Sequence, residues 1–333
     1  MNYFETIREL AKVAMPAGFE EPQAAAIAQL AKPFCDEITS DIQGNLICHK
    51  QGSGEKIMLC AHMDVPGFMA MIQQKDGLVK FAPMGHPVAA DLQHCRVITE
   101  SGVSGVIRCE AKDASAKPSS IKGTDLYLDL GVSTAEEANE LAPAGSLFRL
   151  QPWAQQLAGR RFMTPYANDL AGCAVLLDVM ERLQKTEYDV YFVFSVRELE
   201  GQTGAACAAW QISPKQAIVV DCVRTGDEPA SPKDHYALKM GGGAGIKMKE
   251  QRFLSSPQVT LAMRDLAQKA GVTWQMDIKA DGASDAGRVQ RVHGGIFTGG
   301  LSIPCRGEGS PVQILDEGDL EQCANLLLAY LEG

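Results

Sequence analysis

The sequence contains no apolar run long enough to cross a membrane. The most apolar segment, DVYFVFSV at 189–196, is bounded by charged residues, whereas a membrane-spanning helix needs about 20 apolar residues. The first residues, MNYFETIRELAKVA, alternate in charge and lack the basic region, apolar stretch and cleavage site of an export signal. These absences argue against a membrane partner, and we expect a cytoplasmic protein.

Positive charge is also scarce. Lys and Arg number 31 against 41 Asp and Glu, which gives a net charge of −10 and a pI near 5.2. No basic stripe is present that could neutralise the phosphates of a nucleic acid. Nucleic acid is therefore not expected as a partner, and acidity alone favours no particular substrate.

Paired cysteines are missing as well. The ten cysteines stand singly, without a CxxC pair, and most have apolar neighbours, as in IMLCA and AGCAVLL. This pattern excludes the common cysteine-based zinc and redox motifs. It is typical of reduced thiols in the core of a cytosolic protein.

The pattern that is present changes twice along the chain. Helical patterns at 3–14 and 20–33 lead to an apolar strand at 57–61, and short β-rich pieces follow from 66 to 162. From 171 to 331, helix patterns alternate with continuously apolar strands. This alternation predicts an α/β fold with a largely parallel sheet covered by helices.

The β-rich segment therefore interrupts the α/β pattern. A chain of 333 residues with 46% hydrophobic content is long enough for two domains. We predict one α/β domain built from residues 1–65 plus 163–333, and an inserted β-rich domain at 66–162.

Polar residues lie at the ends of four predicted strands, at the sheet edge where α/β proteins bind ligands; one of the four places is the polar loop RGEGSP after GGLSIPC. His62 and Asp64 follow the first strand, and the pair fits a metal-bound imidazole oriented by a carboxylate, or a hydrogen-bonded structural histidine. Glu198 suits a general base or an ordinary ion-pair partner. Asp221 ends an apolar strand, where a carboxylate needs a partner to offset its desolvation. Only the combination indicates a metal-dependent active site.

Two glycine-rich stretches are weaker candidates. GGGAG at 241–245 lacks the spacing of a dinucleotide fingerprint and predicts a tight loop. DGASDAG at 281–287 fits a backbone cradle for an anion or a helix N-cap at Ser284 or Asp285. We favour the cap.

Motifs in one fixed order run nearly from end to end of the chain. Together they resemble the glutamyl-aminopeptidase and tetrahedral-aminopeptidase family, number forty-two among the metallopeptidases. The resemblance implies a zinc-exopeptidase-like mixed sheet covered by helices, interrupted by a small PDZ-like β domain that mediates dimerisation, often within a dodecameric shell. The motifs that carry it are AGFEEP, DIQGNLI, KIMLCAHMDVPGF, DGLVKFAPMG, DLYLDLGVSTAEEA, NDLAGCAVLLDVM, VFSVRELEGQTGA, AIVVDCVRTGDEP, DGASDAG and SIPCRGEGSPVQILD.

The resemblance also implies a set of active-site residues. The family's site holds two metal ions bridged by an Asp. One ion is completed by a His and an Asp, and the other by a Glu and a late His. Carried over by motif, the first His is His62 and the Asp that orients it is Asp64. The general base is Glu198, and the terminal Asp ligand is Asp221.

Five positions depart from the family pattern. The bridging Asp is replaced by Asn168. The Glu and the late His that bind only the second metal ion are replaced by Leu199 and Gly309. An Arg and a Glu of the family motifs are replaced by Leu170 and Val65. Two close divalent ions require carboxylate charge and a bridging oxygen, and an amide carbonyl is a poor zinc ligand.

The expected metal site is therefore reduced. We predict at most one weakly held divalent ion, zinc or cobalt, on His62, Asp221 and the carbonyl of Asn168. Each lost ligand has an acidic neighbour in the sequence that could bind the metal in its place: Asp169, Glu200 and Glu308. A shift of one residue redirects a side chain when the backbone stays fixed, so rescue is the less favoured expectation.

The leading hypothesis is an aminopeptidase-like protein with weak, altered or lost peptidase activity, which binds peptides or metabolites or serves as a partner subunit. The alternative is an active metal-dependent aminopeptidase, or a related hydrolase, that uses Glu198 as general base. Small peptides are the expected substrates. The expected assembly is a homodimer or a dodecamer.

Overall fold

The structure, a computed structural model, describes residues 1–110, 121–228 and 238–333. Residues 111–120, which belong to the predicted insertion, and residues 229–237 lie outside this description. The described helices are α1 (Tyr3–Val13), α2 (Glu21–Ala31), α3 (Ala135–Leu141), α4 (Ala167–Arg182), α5 (Gly204–Ile212), α6 (Pro257–Ala270), α7 (Ala286–Val289) and α8 (Glu317–Glu332). None of them is long and apolar enough to cross a membrane.

Eighteen strands occur in the described part of the chain. They are β1 (Glu37–Ser40), β2 (Leu46–Lys50), β3 (Lys56–His62), β4 (Gly67–Gln73), β5 (Val79–Met84), β6 (Arg96–Thr99), β7 (Ser104–Cys109), β8 (Leu126–Asp129), β9 (Leu147–Leu150), β10 (Gln155–Gln156), β11 (Arg161–Thr164), β12 (Asp189–Ser195), β13 (Gln216–Arg224), β14 (Ala244–Glu250), β15 (Phe253–Leu254), β16 (Trp274–Ile278), β17 (Phe297–Cys305) and β18 (Gln313–Asp316).

Nine of these strands form the central sheet, in the order β1-β2-β12-β3-β13-β17-β14-β15 with β16 beside β14. The four middle strands, β12, β3, β13 and β17, are parallel. The pairs β1–β2, β2–β12, β14–β15 and β14–β17 are antiparallel, and β16 runs parallel to β14. The fold is therefore mixed α/β, as the motifs imply. In the register, His62 lies opposite Ser195 and Asp221 lies opposite Ser302.

Helices cover both faces of the sheet. Successive side chains of a strand point to opposite faces, so each central strand contributes residues to two cores. On β3, Ile57, Leu59 and Ala61 belong to the larger core, which also contains residues from α1, α2, α4, α6 and α8. Met58 and Cys60 belong to a second core with residues from α5 and α7. This two-sided burial is the reason that the central strands are continuously apolar.

The chain between β3 and α4 forms a small closed barrel in the order β4-β5-β8-β7-β6-β9. Its interior contains the rings of Phe68, Phe81 and Phe148, whose centroids lie 5.1–5.2 Å apart. β10, β11 and β18 form a separate three-stranded sheet. The presence of a small β barrel agrees with the β-rich pattern. The domain limits, the PDZ-like character and the dimerisation role stay predictions.

The first turn of α4 is irregular at two polar residues. Asn168 (φ −87°, ψ 111°) and Asp169 (φ −121°, ψ 40°) have non-helical backbones, while Leu170 to Met180 are buried and anchor α4 in the core. Gln313 accepts a hydrogen bond from the backbone N of Asn168 at 2.9 Å. The segment therefore holds Asn168 and Asp169 at the edge of the sheet, beside the end of β3.

Candidate active site

His62 is the last residue of β3 and the centre of the site. The whole residue is 2% exposed. Nδ1 lies 3.1 Å from the carbonyl oxygen of Asp64 and 3.4 Å from Asp64 Oδ1. Nε2 lies 3.0 Å from Asn168 Oδ1 and 4.0 Å from Asp221 Oδ1. Burial opposes a charge here, but hydrogen bonding to Asp64 and nearby carboxylates raise the pKa of His62 well above its usual value.

Asp64 links the end of β3 to the loop that follows β12. Its Oδ1 accepts a hydrogen bond from the backbone N of Glu198 at 3.0 Å, and its Oδ2 accepts one from the backbone N of Leu199 at 2.9 Å. One buried carboxylate therefore contacts His62 and fixes the backbone that carries the predicted base.

The Glu198 side chain is 9% exposed and accepts a hydrogen bond from Gln202 Nε2 at 3.0 Å. Burial raises the pKa of this carboxyl well above its usual value; His62 lowers it, and the carboxylates of Asp285 and Asp221 raise it further. A raised pKa suits a group that must accept a proton near neutral pH.

Three side chains at the edge of the sheet form a metal-binding donor set. Ligand atoms of His62, Asp169 and Asp221 all lie within 4.8 Å of one another. Asp169 Oδ2 and Asp221 Oδ1 are buried and have no hydrogen-bond partner among the described residues. Burial raises the pKa of both carboxyls, that of Asp221 to about 6. Two unpartnered oxygens beside an imidazole fit a divalent cation that prefers nitrogen and oxygen ligands.

The other neighbouring carboxylates have different surroundings. Glu308 accepts a hydrogen bond from Asn168 Nδ2 at 3.2 Å, so it borders the site. Glu200 does not: its Oε1 accepts a hydrogen bond from the backbone N of Gly85 in the barrel, at 2.8 Å. The predicted rescue by Glu200 is therefore not supported by the geometry, because this contact fixes the carboxylate to another part of the protein.

The remaining altered positions have non-coordinating surroundings. Leu199 faces the barrel, since a Cβ placed on Gly85 would lie 3.4 Å from the Leu199 side chain. Gly309 has a φ of +80°, a conformation that favours glycine. Leu170 and Val65 are fully buried in the larger core. Neither a leucine nor a glycine side chain can coordinate a metal at the second-ion positions.

A cleft of about 440 Å³ opens over these residues and is lined by Asn168, Glu198, Asp221 and Glu308, with Pro66 and His86 from the barrel side. The predicted site residues His62, Asp64, Asn168, Asp169, Glu198, Asp221 and Glu308 are thus brought together at one edge of the sheet.

Sequence reasoning missed a buried cation in this cleft. Lys247 on β14 is 2% exposed; its Nζ lies 2.9 Å from Glu250 Oε2 and 3.3 Å from Asp277 Oδ2. In the segment AGIKMKE, apolar Ile246 and Met248 alternate with Lys247 and Lys249, a pattern that assigns the lysines to a solvent-facing side, so nothing in the sequence indicated a buried lysine.

The helix cap predicted in DGASDAG is only half correct. Asp285 occupies the N-cap position of α7 but makes no side-chain capping hydrogen bond. Instead its Oδ2 accepts a hydrogen bond from Ser195 Oγ at 2.7 Å, and the carboxyl is 1% exposed. The side chain therefore points into the protein, where it accepts a hydrogen bond from Ser195 at the end of β12 rather than from the backbone of α7.

Comparison with known proteins decides the family. The M42 glutamyl aminopeptidase family matches residues 44–326. The chain belongs to this family. It is 33% identical, over 98% of both chains, to a putative aminopeptidase of Acetivibrio thermocellus.

Solved structures of aminopeptidases share the fold. The aminopeptidase APDkam598 of Desulfurococcus kamchatkensis superimposes with a TM-score of 0.95 at 29% identity, over 99% of this chain and 94% of that one. The TET1 peptidase of Pyrococcus horikoshii superimposes with a TM-score of 0.86 at 27% identity, over 99% of both chains. These relatives favour an active aminopeptidase over the hypothesis of weak or lost activity.

Proposed function

We propose that this M42 family protein is a metal-dependent aminopeptidase that removes the N-terminal residue of peptides. The observation that carries the proposal is the buried donor set of His62, Asp169 and Asp221, with two unpartnered carboxylate oxygens. Unpaired buried carboxylates are costly unless a partner neutralises them. A divalent cation is such a partner, and the cleft above it admits a small ligand.

The proposed ligand set differs from the set expected from the sequence in one respect. Asp169 takes the role of metal ligand, while Asn168 Nδ2 donates to Glu308 and Asn168 Oδ1 lies 3.0 Å from His62 Nε2. A zinc or cobalt ion held there would supply Lewis-acid polarisation of the scissile carbonyl and acidify a water molecule. We propose one ion per chain, because Leu199 and Gly309 offer no second set of ligands.

Glu198 is the proposed general base. It lines the same cleft as Asp221 and is buried, and burial raises its pKa, which suits a base that takes a proton from the attacking water and passes it to the leaving amine. Gln202 orients one oxygen of the carboxylate. Asp64 positions both the imidazole and the backbone N–H of Glu198, so its role is positioning.

Metal content and activity test the proposal together. Protein dialysed against zinc should bind one ion per chain by elemental analysis and hydrolyse aminoacyl chromogenic substrates, with loss of activity in chelator. Asp169→Asn should lose the ion. Glu198→Gln should keep the ion and lower kcat by about 10²- to 10⁴-fold. Glu200→Gln, a neighbouring carboxylate bound to the barrel, is the matched control and should retain both.

Three outcomes would count against parts of the proposal. Two tightly bound ions would restore a dinuclear site. Retention of the ion by Asp169→Asn would show that Asp169 is not a ligand, and would support the set of His62, Asp221 and Asn168 expected from the sequence. One bound ion with no hydrolysis of any peptide would support the hypothesis of weak or lost activity.

Assembly and location follow from the relatives. The Pyrococcus horikoshii TET1 peptidase assembles into a tetrahedron or a large octahedral shell, and we propose that this chain is a homo-oligomer too. A dimer formed through residues 66–162 and a dodecamer are the two candidates, and light scattering separates them. We propose a cytoplasmic location, consistent with the reduced cysteines expected from the sequence.

A further inference from the structure

Two arginines lie at the exposed rim of the active-site cleft. Arg252 belongs to the turn between β14 and β15, and Arg288 belongs to α7; both line the cleft together with Glu198 and Asp221. Neither guanidinium group makes an ion pair or a side-chain hydrogen bond with another residue that the structure describes. By contrast, Arg306 is paired with an aspartate at 2.5 Å.

The backbone holds the two arginines side by side. Gln290 Nε2 donates to the carbonyl oxygen of Arg252 at 3.1 Å, and the backbone N of Gln251 donates to the carbonyl oxygen of Gly282 at 3.2 Å. A Cβ placed on Gly287 would lie 3.1 Å from the same carbonyl oxygen of Arg252. The turn therefore packs closely against α7, and Arg288 follows Gly287 directly. The two arginines are therefore carried by neighbouring backbone segments that line the same cleft.

The buried part of the cleft has a different charge balance. Lys247 is the only buried cation among the described residues that line it, and it is already paired with Glu250 and Asp277. Asp221, Glu198 and Glu308 add negative charge nearby. A negatively charged N-terminal side chain would meet carboxylates in this part of the cleft. The unpaired positive charge of Arg252 and Arg288 is available only at the rim.

We infer that Arg252 and Arg288 bind the C-terminal carboxylate of a short peptide whose N-terminal residue lies over Glu198. This inference rests on the proposed aminopeptidase function and names its substrate class. The planar guanidinium group matches a carboxylate with two parallel hydrogen bonds. The cleft volume of about 440 Å³ lies in the range of sites for small ligands, which fits a dipeptide or tripeptide.

The test compares peptides that differ only in one charge. With zinc-loaded protein, kcat and KM are measured for Leu-Gly-Gly and for its C-terminal amide. A second pair, the C-terminal amides of Glu-Gly-Gly and Gln-Gly-Gly, measures any preference for an acidic N-terminal side chain. The variants are Arg252→Gln/Arg288→Gln and, as the matched control, Arg291→Gln, an exposed arginine close to α7 that does not line the cleft.

The free acid should have a KM about tenfold lower than that of the amide, as expected for hydrogen bonds to a charged group. The double variant should abolish this difference by raising the KM of the free acid to that of the amide, 0.5 M salt should weaken it, and Arg291→Gln should behave as wild type. Equal KM values for acid and amide in the wild type would overturn the inference. So would a preference that survives in the double variant, or a preference for Glu over Gln without any for the free C-terminus.

A failure of the proposed function can be told apart from a failure of this inference. If no peptide is hydrolysed, the aminopeptidase proposal fails, and calorimetric titration of Leu-Gly-Gly and its amide decides the role of the rim. Tighter binding of the free acid that is lost in the double variant supports carboxylate binding. Equal binding of the two peptides refutes it.

Discussion

The buried carboxyl of Asp285 should make the free energy of unfolding fall as the pH rises. Asp285 is 1% exposed, and its Oδ1 has no hydrogen-bond partner among the described residues. Burial raises its pKa to about 7, with a smaller upward contribution from Asp64 and Asp221; the Ser195 hydrogen bond and His62 act in the opposite direction. In the unfolded chain the pKa returns to the usual 3.8.

The sign follows from proton binding. Between pH 3.8 and about 7 the folded protein keeps a proton on Asp285 that the unfolded chain has lost. The free energy of unfolding therefore falls as the pH rises through this window. Because each tenfold change in proton affinity corresponds to about 1.4 kcal/mol, the full contribution is about 4 kcal/mol. It is fully present below pH 3.8 and is lost above about pH 7.

The substitution Asp285→Asn removes the titration but keeps the shape. Urea unfolding of metal-free protein, followed by tryptophan fluorescence between pH 4 and pH 8, gives the free energy of unfolding of each protein. Wild type should lose about 4 kcal/mol relative to Asp285→Asn over this range. Asp265→Asn, on an exposed position of α6, controls for the loss of a carboxylate. Parallel pH profiles for wild type and Asp285→Asn would show that Asp285 is ionised throughout, which would refute this reasoning.

Four further outcomes are expected at the site. Because metal binding must displace a proton from His62, whose pKa is raised, the zinc Kd measured by chelator competition should increase as the pH falls from 8 to 6. Lys247→Met should lower the free energy of unfolding in urea by about 3–5 kcal/mol, since it leaves two buried carboxylates without their partner. Asn168→Asp, Leu199→Glu and Gly309→His together should add a second ion by elemental analysis. Gly309→His alone should cost about 1–2 kcal/mol in urea unfolding, because its φ of +80° disfavours a side chain.

The strand ends explain why part of the site could be predicted from the sequence. His62 and Asp221 belong to strands with continuous apolar runs, and Glu198 follows another one closely. Parallel strands place their carboxyl ends at one edge, so residues far apart in sequence meet there. The apolar patterns at 57–61, 189–196 and 217–223 predicted three adjacent strands of the sheet.

The rest of the site depends on side-chain directions that sequence spacing does not determine. Asp169 and Glu200 are both acidic neighbours of a lost ligand, yet Asp169 points to His62 and Glu200 points to Gly85. The difference arises from the backbone: the start of α4 is non-helical at Asp169, whereas Glu200 lies in a loop that packs against the barrel. Lys247 was missed for another reason, because it alternates with apolar Ile246 and Met248 and such a pattern predicts a solvent-facing lysine.

Charge balance is the strongest reason to expect a single ion. In the proposed site, Asp169 and Asp221 each contribute one negative charge and His62 binds as a neutral imidazole, so one divalent cation makes the set neutral. A second ion would need two more buried charges near it. Glu198 is reserved as the base, Glu308 is hydrogen-bonded to Asn168, and Glu200 is fixed to the barrel. The neutral Asn168 thus matches the loss of ligands at Leu199 and Gly309, since an aspartate there without a second ion would add another unpaired buried charge.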